Sequence, residues 1–417
     1  MIVKVGTKDL DTSNKFLRSL WADLRKSFGK CAWQYTPYKV GKENKVVFGF
    51  MDINVPPFSI EVSINYEMKG QIKTISFNID KKTTANYDKI KKKIEDSVNR
   101  AKVSMLKPRI YHFKTNVKSF YLLSRYEGAS FSIVPCKPFK NGVSEIVLSV
   151  YGYDDPDAQS QFLRRLDNFI DIISIETNCP FWSVKSQESK YDKKDTEIQY
   201  MENETWIDGY PVQAGFLLIR QKTIETLDKV SFIDKDKQLG CFIRAGYLFH
   251  TARKIEAQVN DLLIIDDPKR LSEDTWEYPV RERDDLLSIA ATMGKSQNEL
   301  ATVLYISALE VASLVIATEQ KNCTKCGQPI YAISKRVRDF VGIYGSEYLP
   351  RIINDYYQKR SKIVHIGNIV SDVGYMGISM PQLDPNDDSG CKRVNSVSVS
   401  NLREYTGYCI RKAIASQ

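Results

Sequence analysis

The chain has 417 residues, of which 42% are hydrophobic and 27% charged, with a formal net charge of +9. That length exceeds one comfortable hydrophobic core, so two or three domains are expected, and the composition excludes wholesale disorder. No run approaches the ~20 apolar residues of a membrane helix, so a membrane partner is not expected. The first ten residues carry Lys4, Lys8 and Asp9 and lack the apolar core of a secretory signal. Eight cysteines are scattered, mostly alone (Cys31, Cys136, Cys179, Cys241, Cys409), which fits reduced thiols in a cytoplasm. The basic excess tilts toward polyanionic partners, although at this length it also fits an ordinary surface.

Residues 1–177 read as an α+β domain, a mixed sheet partly covered by helices. Phe16, Leu17, Leu20, Leu24 and Phe28 give Ser13–Phe28 an amphipathic helical period. Strands follow at Val46–Ile53, Phe58–Tyr66 and Ile72–Ile79, the last two joined by turn chemistry around Gly70. Asn86–Met105 is a basic helix, with Ile90, Ile94, Val98 and Ala101 inward and Lys91, Lys92, Lys93 and Arg100 outward. Further strands are expected at Arg109–Lys114, Ser119–Ser124, Ser130–Val134 and Ser144–Tyr151. A helix then starts at Asp157 or Ser160 and runs to Ile173. Residues 178–223 read as a connector or insertion, with Pro180 and a charged run from Lys185 to Glu197, followed by a short apolar segment from Val212 to Ile219.

Residues 224–417 read as an all-α bundle. Gln238–Leu263 forms one helix. Ser296 reads as an N-cap with Glu299 completing a capping box, opening a helix to about Thr318. Leu300–Ala317 is apolar nearly all round, so that helix is expected at the bundle centre. Pro329–Tyr344, Ser346–Ile366 (ended by Gly367) and Asn401–Ile414 complete the set.

The helix at Ser346–Ile366 carries the candidate chemistry. Ile353, Tyr357, Arg360 and Val364 follow the i, i+4, i+7, i+11 spacing of one buried face, which places a permanently charged guanidinium on an apolar stripe. Burying it unpaired is costly, so it either meets a carboxylate (Glu310, Asp339 or Asp355) or waits at a groove for an anion. His365 lies at the helix's last turn and is one of three histidines, with His112 and His250. It is either an ordinary helix-end residue or a proton carrier near neutral pH.

The string Arg360-Ser361-Lys362-Ile363-Val364-His365, near the end of the penultimate helix, resembles the Arg-x4-His signature of HEPN domains. Its wording is especially similar to the Apea-like branch. The apolar helix with Ala308-Leu309-Glu310 and the segment Ile333–Val337 precede it in the expected order, and the resemblance covers roughly residues 235–417. It implies a HEPN helical bundle and metal-independent RNA cleavage, in which a 2′-hydroxyl attacks the adjacent phosphate. His365 would move the proton and Arg360 would hold the phosphate oxygens. Ser361, Lys362 and Lys359 are candidate substrate-binding residues, with Glu310 and Tyr357 in support. Glu310, inside a buried helix, needs a partner, and a salt bridge to Arg336 or Arg360 is favoured over a direct role. Five residues along a helix turn Arg360 and His365 about 140° apart. They converge only if the helix end unwinds or a second copy completes the groove, and the resemblance implies a homodimer. It also suggests a cytoplasmic antiviral-defence, abortive-infection or toxin effector whose N-terminal domain binds an unknown trigger. The rival is an inactive HEPN module that dimerises or binds RNA as a scaffold.

No cofactor is expected for catalysis. Cys323-Thr324-Lys325-Cys326-Gly327 is a C-x-x-C-G knuckle that fits either half of a structural zinc site or a reduced turn between helices. Lys81, Lys82, Lys89 and Lys91–Lys93 form a basic strip that either guides a nucleic-acid backbone or is a solvated helix face.

Overall fold

The computed structural model describes residues 1–40, 43–67, 70–136, 142–184, 199–201, 210–232, 236–262, 269–270, 276–277, 284–317, 332–366 and 399–417, some of them by backbone alone. They form two compact units, 1–113 with 149–163, and 114–148 with 164–417.

In the first unit, β1 (Ile2–Lys4), β2 (Cys31–Val40), β3 (Glu43–Asp52), β4 (Ser59–Tyr66) and β5 (Ile72–Phe77) form an antiparallel sheet in the order β1-β5-β4-β3-β2. Two helices, α1 (Leu10–Phe28) and α2 (Tyr87–Ser104), pack against each other. The Asp9 carboxylate caps α1 by accepting from the Thr12 N–H. Phe16, Leu20, Trp21 and Leu24 of α1, with Ile94 and Val98 of α2, are wholly buried in one core with Val62 and Ile75 of the sheet. Trp21 meets Phe48 edge-on at 4.9 Å. Pro37 sits in β2, an edge strand, the place in a sheet where a residue lacking an N–H is tolerated. Arg18 and Arg25 hold Asp157 and Asp154 at 2.8 and 2.7 Å, fixing the start of α3 (Asp155–Thr177).

The chain passes between the units inside β6 (Arg109–Lys118), β10 (Val143–Gly152) and α3. Together with β7 (Leu122–Leu123), β8 (Tyr126–Glu127), β9 (Phe131–Pro135) and β11 (Trp182–Val184), these strands make a sheet ordered β11-β6-β10-β9-β8 and part of a smaller one. The smaller sheet pairs β7 with the hairpin β12 (Val212–Gln213) and β13 (Phe216–Leu217). The division therefore does not fall at residues 177 and 223, as the local pattern suggested. Phe169 of α3 packs on Phe131 at 4.8 Å, and Leu217, Leu218 and Ile219 are buried. These long-range contacts tie the second sheet and the described parts of 178–223 to the helices. Residues 185–198 and 202–209 lie outside the described residues.

The helical part comprises α4 (Gln221–Phe232), α5 (Lys237–Leu262), α6 (Asp284–Ala312) with a 3-10 turn at Ser313–Ile316, α7 (Ile333–Tyr344), α8 (Leu349–Ile366) and α9 (Val399–Ala415). Two-residue strands β14 (Lys269–Arg270) and β15 (Trp276–Glu277) pair between α5 and α6. Mixed α/β structure thus leads and helices follow. The helix expected to open at Ser296 opens at Asp284, so Ser296 is no cap, and the helical period of Leu286, Leu287 and Ala290 continues through it. It ends at Ala312 rather than near Thr318, where the backbone tightens into the 3-10 turn.

Contrary to the sequence expectation, one stretch, Gln297–Ile316, is long and apolar enough to cross a membrane by length and composition. Its apolarity has a local cause. This segment packs against α5, α7, α8 and α9, and Ala301, Tyr305, Ile306, Ala308, Leu309 and Ala312 are wholly buried. The expectation that it lies at the centre of the helices holds.

Candidate active site

Two helices of the second unit, α7 and α8, converge on the last turn of α6. Leu349, Ile353 and Tyr356 are buried along α8, and Arg360 continues their line at i+11 from Leu349. The guanidinium therefore leaves the apolar contact at its open end, half-buried. Its Nη2 donates to the Glu310 carboxylate at 3.3 Å, with side-chain exposures of 21% and 16%. Of the three carboxylates considered for it, Arg360 meets Glu310. Its Nε is buried and has no hydrogen-bond partner among the described residues. The Tyr357 ring lies 6.0 Å from the guanidinium carbon, and burial beside Glu310 pushes the Tyr357 hydroxyl pKa upward, the Glu310 hydrogen bond adding to the shift.

Arg336 of α7 reaches the same turn. Its Nε donates to Ser313 Oγ at 2.9 Å and its Nη2 to the Glu310 backbone carbonyl at 3.4 Å. Ser313 Oγ in turn donates to that carbonyl at 2.7 Å, so the turn's freed backbone oxygen has two donors. Ser313 was not singled out from sequence, because a serine after an apolar helix carries no signal until α7 folds back on it.

Of the other expected site residues, Ser361 is half-buried next to Arg360. Lys359, Lys362 and His365 lie on the backbone of α8, and their side chains lie outside the described residues. The helix is continuous from Leu349 to Ile366, so no unwound end brings Arg360 and His365 together within one chain.

His250 is unavailable for chemistry at a surface. It is wholly buried, with Nδ1 2.7 Å from Asp171 Oδ1 and Nε2 accepting the Phe181 N–H at 2.9 Å. Burial holds its pKa below the ordinary value, against the opposing pull of Asp171. His112 bonds Ser149 Oγ at 2.9 Å in the first unit.

A larger polar cluster lies deeper among the helices. Glu256 accepts from Arg253, Arg403 and Tyr305, each at 2.6 Å, and Arg253 is wholly buried. Arg253 also donates to the Asn178 carbonyl at 2.6 Å and to the Tyr210 hydroxyl at 3.2 Å. Glu176 takes a two-pronged grip from Arg220 at 2.8 and 2.7 Å, near the fully buried Arg411. Arg411 is the costliest of these: burial pulls its guanidinium down to about 9. These groups are sealed and paired, so they act in holding the fold. The i, i+3 spacing of Arg253 and Glu256 was a signal available in the sequence.

No group of three His, Cys, Asp or Glu side chains among the described residues is arranged to hold a metal. Cys323 and Cys326 lie outside the described residues. Cys31, Cys136, Cys179, Cys241 and Cys409 are thiols outside any disulfide. The lysines at 81, 82, 89, 92 and 93 are exposed on and before α2, with Lys93 Nζ over the Phe28 ring at 4.6 Å. No family model matches the chain, and neither a curated protein nor a solved structure matches it.

Proposed function

We propose that the chain is a metal-independent endoribonuclease whose C-terminal helices form a HEPN-type bundle and act as a homodimer. One observation carries the reading. Arg360 stands at the open end of an apolar helix face, held on one side by Glu310 and with its Nε unpaired, five residues before His365 on the same helix. Arg360 binds the scissile phosphate and stabilises the charge that grows on it. His365 transfers the proton, and a helix C-terminus favours its protonated form and hence the acid role. Ser361, Lys362 and Lys359 flank the phosphate, while Glu310 and Tyr357 orient Arg360. The other histidine of the second unit, His250, is sealed in the core, which leaves His365 for proton transfer. The approximate 140° between Arg360 and His365 requires the arginine of one copy to meet the histidine of the other. By analogy with the HEPN domains that the motif resembles, the setting is a cytoplasmic antiviral-defence or toxin effector. The strand-rich N-terminal part then senses the trigger.

The test is incubation of wild type, His365→Ala and Arg360→Ala with total RNA in the presence of a chelator. Wild type generates fragments ending in cyclic phosphate, and either substitution lowers the rate by about 10²-fold or more. RNA left equally intact by all three proteins, under every trigger tried, overturns the reading.

A second reading is an inactive HEPN scaffold, and the Arg360–Glu310 ion pair is the observation in its favour, since a purely structural arginine makes such a pair. The same assay separates the two. The scaffold predicts RNA binding or dimerisation with no cleavage and no dependence on His365.

A further inference from the structure

We propose that Arg336 is a second contact to the RNA backbone in the Arg360 site, an inference that rests on the reading above. Two guanidiniums from different helices meet at one acidic residue: Arg360 on the Glu310 carboxylate and Arg336 on the Glu310 carbonyl. Both also act electrostatically on the Tyr357 hydroxyl, opposing Glu310. Two permanent cations and one carboxylate leave the cluster with one positive charge in excess. Arg336 and Arg360 are both half-buried, so that charge sits where solvent screening is reduced. A phosphodiester carries one negative charge and balances the excess.

The donor geometry agrees with the charge. Arg336 commits Nε and Nη2 to Ser313 and to the carbonyl of Glu310, which fixes the plane of its fork. Its Nη1 makes no hydrogen bond among the described residues. A guanidinium whose inner edge is pinned by the fold loses little further freedom on binding an anion with its outer edge. A lysine at position 336 supplies the charge without the fork. Glu310 on this account stays in place as the spacer that keeps two like charges together in the absence of RNA, and phosphate joins the cluster rather than displacing it.

The experiment uses the full chain and a 2′-O-methyl oligoribonucleotide, which lacks the attacking hydroxyl and cannot be cleaved. Binding is read by fluorescence anisotropy as a function of salt between about 50 and 200 mM, for wild type, Arg336→Gln, Arg336→Lys and Arg360→Gln. Loss of one phosphate contact on a single strand lowers the slope of log affinity against log salt by about 0.7. Arg336→Gln is expected to show that drop, and Arg336→Lys to restore most of the slope with weaker binding. Circular dichroism and thermal melting of each variant report whether the chain still folds. Should Arg336→Gln misfold, Arg336→Met carries the test in its place: a slope lowered by about 0.7 supports the contact, and a wild-type slope counts against it. Weaker binding by Arg336→Gln at an unchanged slope makes Arg336 a structural residue and overturns the inference. A wild type that neither binds this oligonucleotide nor cleaves RNA removes the underlying reading instead. A wild type that cleaves RNA while Arg336→Gln keeps its full slope removes only this inference.

Discussion

Replacing Glu256 by glutamine removes the one negative charge that two buried arginines share, and its cost can be worked from the cluster. The carboxylate accepts three hydrogen bonds at 2.6 Å, two from guanidiniums and one from the Tyr305 hydroxyl. Bonds to a charged group contribute about 1.5–3 kcal/mol each, so three sum to roughly 4.5–9. Glutamine keeps a carbonyl acceptor of the same shape, which recovers part of that. What it cannot recover is the charge balance of Arg253, which is wholly buried, whereas Arg403, 8% exposed, keeps the Glu404 carboxylate at 3.0 Å. Removing one partner of a buried pair costs about 3–5 kcal/mol, and we expect Glu256→Gln to lie in that range. For a unit of this size about 1 kcal/mol moves the melting temperature by roughly 2–4 °C, so the shift is on the order of 6–20 °C. Thermal unfolding followed by circular dichroism measures it. Glu225→Gln is the control, because its partner Lys222 is 36% exposed and Glu225 is 53% exposed, and such pairs contribute about 1 kcal/mol or less. A Glu256→Gln protein that melts with the control would show that the cluster is held by packing and that its charge balance is unimportant.

Two further outcomes follow from sites outside the proposed catalytic cleft. Burial holds His250 below its ordinary value of 6.5, so between that value and the lower folded one the unfolded chain binds the extra proton. Stability is therefore full above pH ~6.5 and falls as the pH drops toward the folded value. His250→Gln should remove this component, and equal losses of melting temperature on acidification in both proteins would refute it. Gly407, inside α9, has Asn178 Oδ1 at 2.6 Å and Arg411 Nη1 at 3.0 Å from where a Cβ would stand. Alanine gains about 1 kcal/mol of helix propensity but pushes into the 3.1 Å Arg411–Asn178 bond. We expect a net loss of about 1–3 kcal/mol in urea unfolding, and a stabilised Gly407→Ala would contradict this close approach.

Periodicity made most elements legible. The period-3.6 runs placed α1, α2, α5, α7, α8 and α9 within a few residues, and the alternating runs placed β3, β4, β5, β9 and β10. The two edge strands β1 and β2 went unread. Ile2–Lys4 is too short to carry a pattern, and it is a strand because Ile2 pairs with Ser76 across the sheet. Cys31–Val40 contains Pro37, which reads as a break until the strand's place at the edge is known. The capping box at Ser296 shows the opposite error, a local signal overridden by a helical run extending upstream. The site was half legible. Arg360 on an apolar stripe needs only helical spacing, and Glu310 in an apolar helix demands a cation, but which cation it takes is a matter of how α7 and α8 lie against α6.

By itself, the order of residues determined which faces are apolar, because a side chain's position around a helix or across a strand follows from backbone geometry alone. It thereby set Arg360 and His365 about 140° apart on one helix. Only the tertiary structure decided the pairing of charges and the division of the chain. Arg336 meets the Glu310 turn, Glu256 gathers two arginines from α5 and α9, and α3 passes from one unit into the other. Apart from Arg253, three residues from Glu256, such partners are separated by tens to hundreds of residues, and nothing in a local window distinguishes one distant buried cation from another until burial removes the water that would otherwise serve them all.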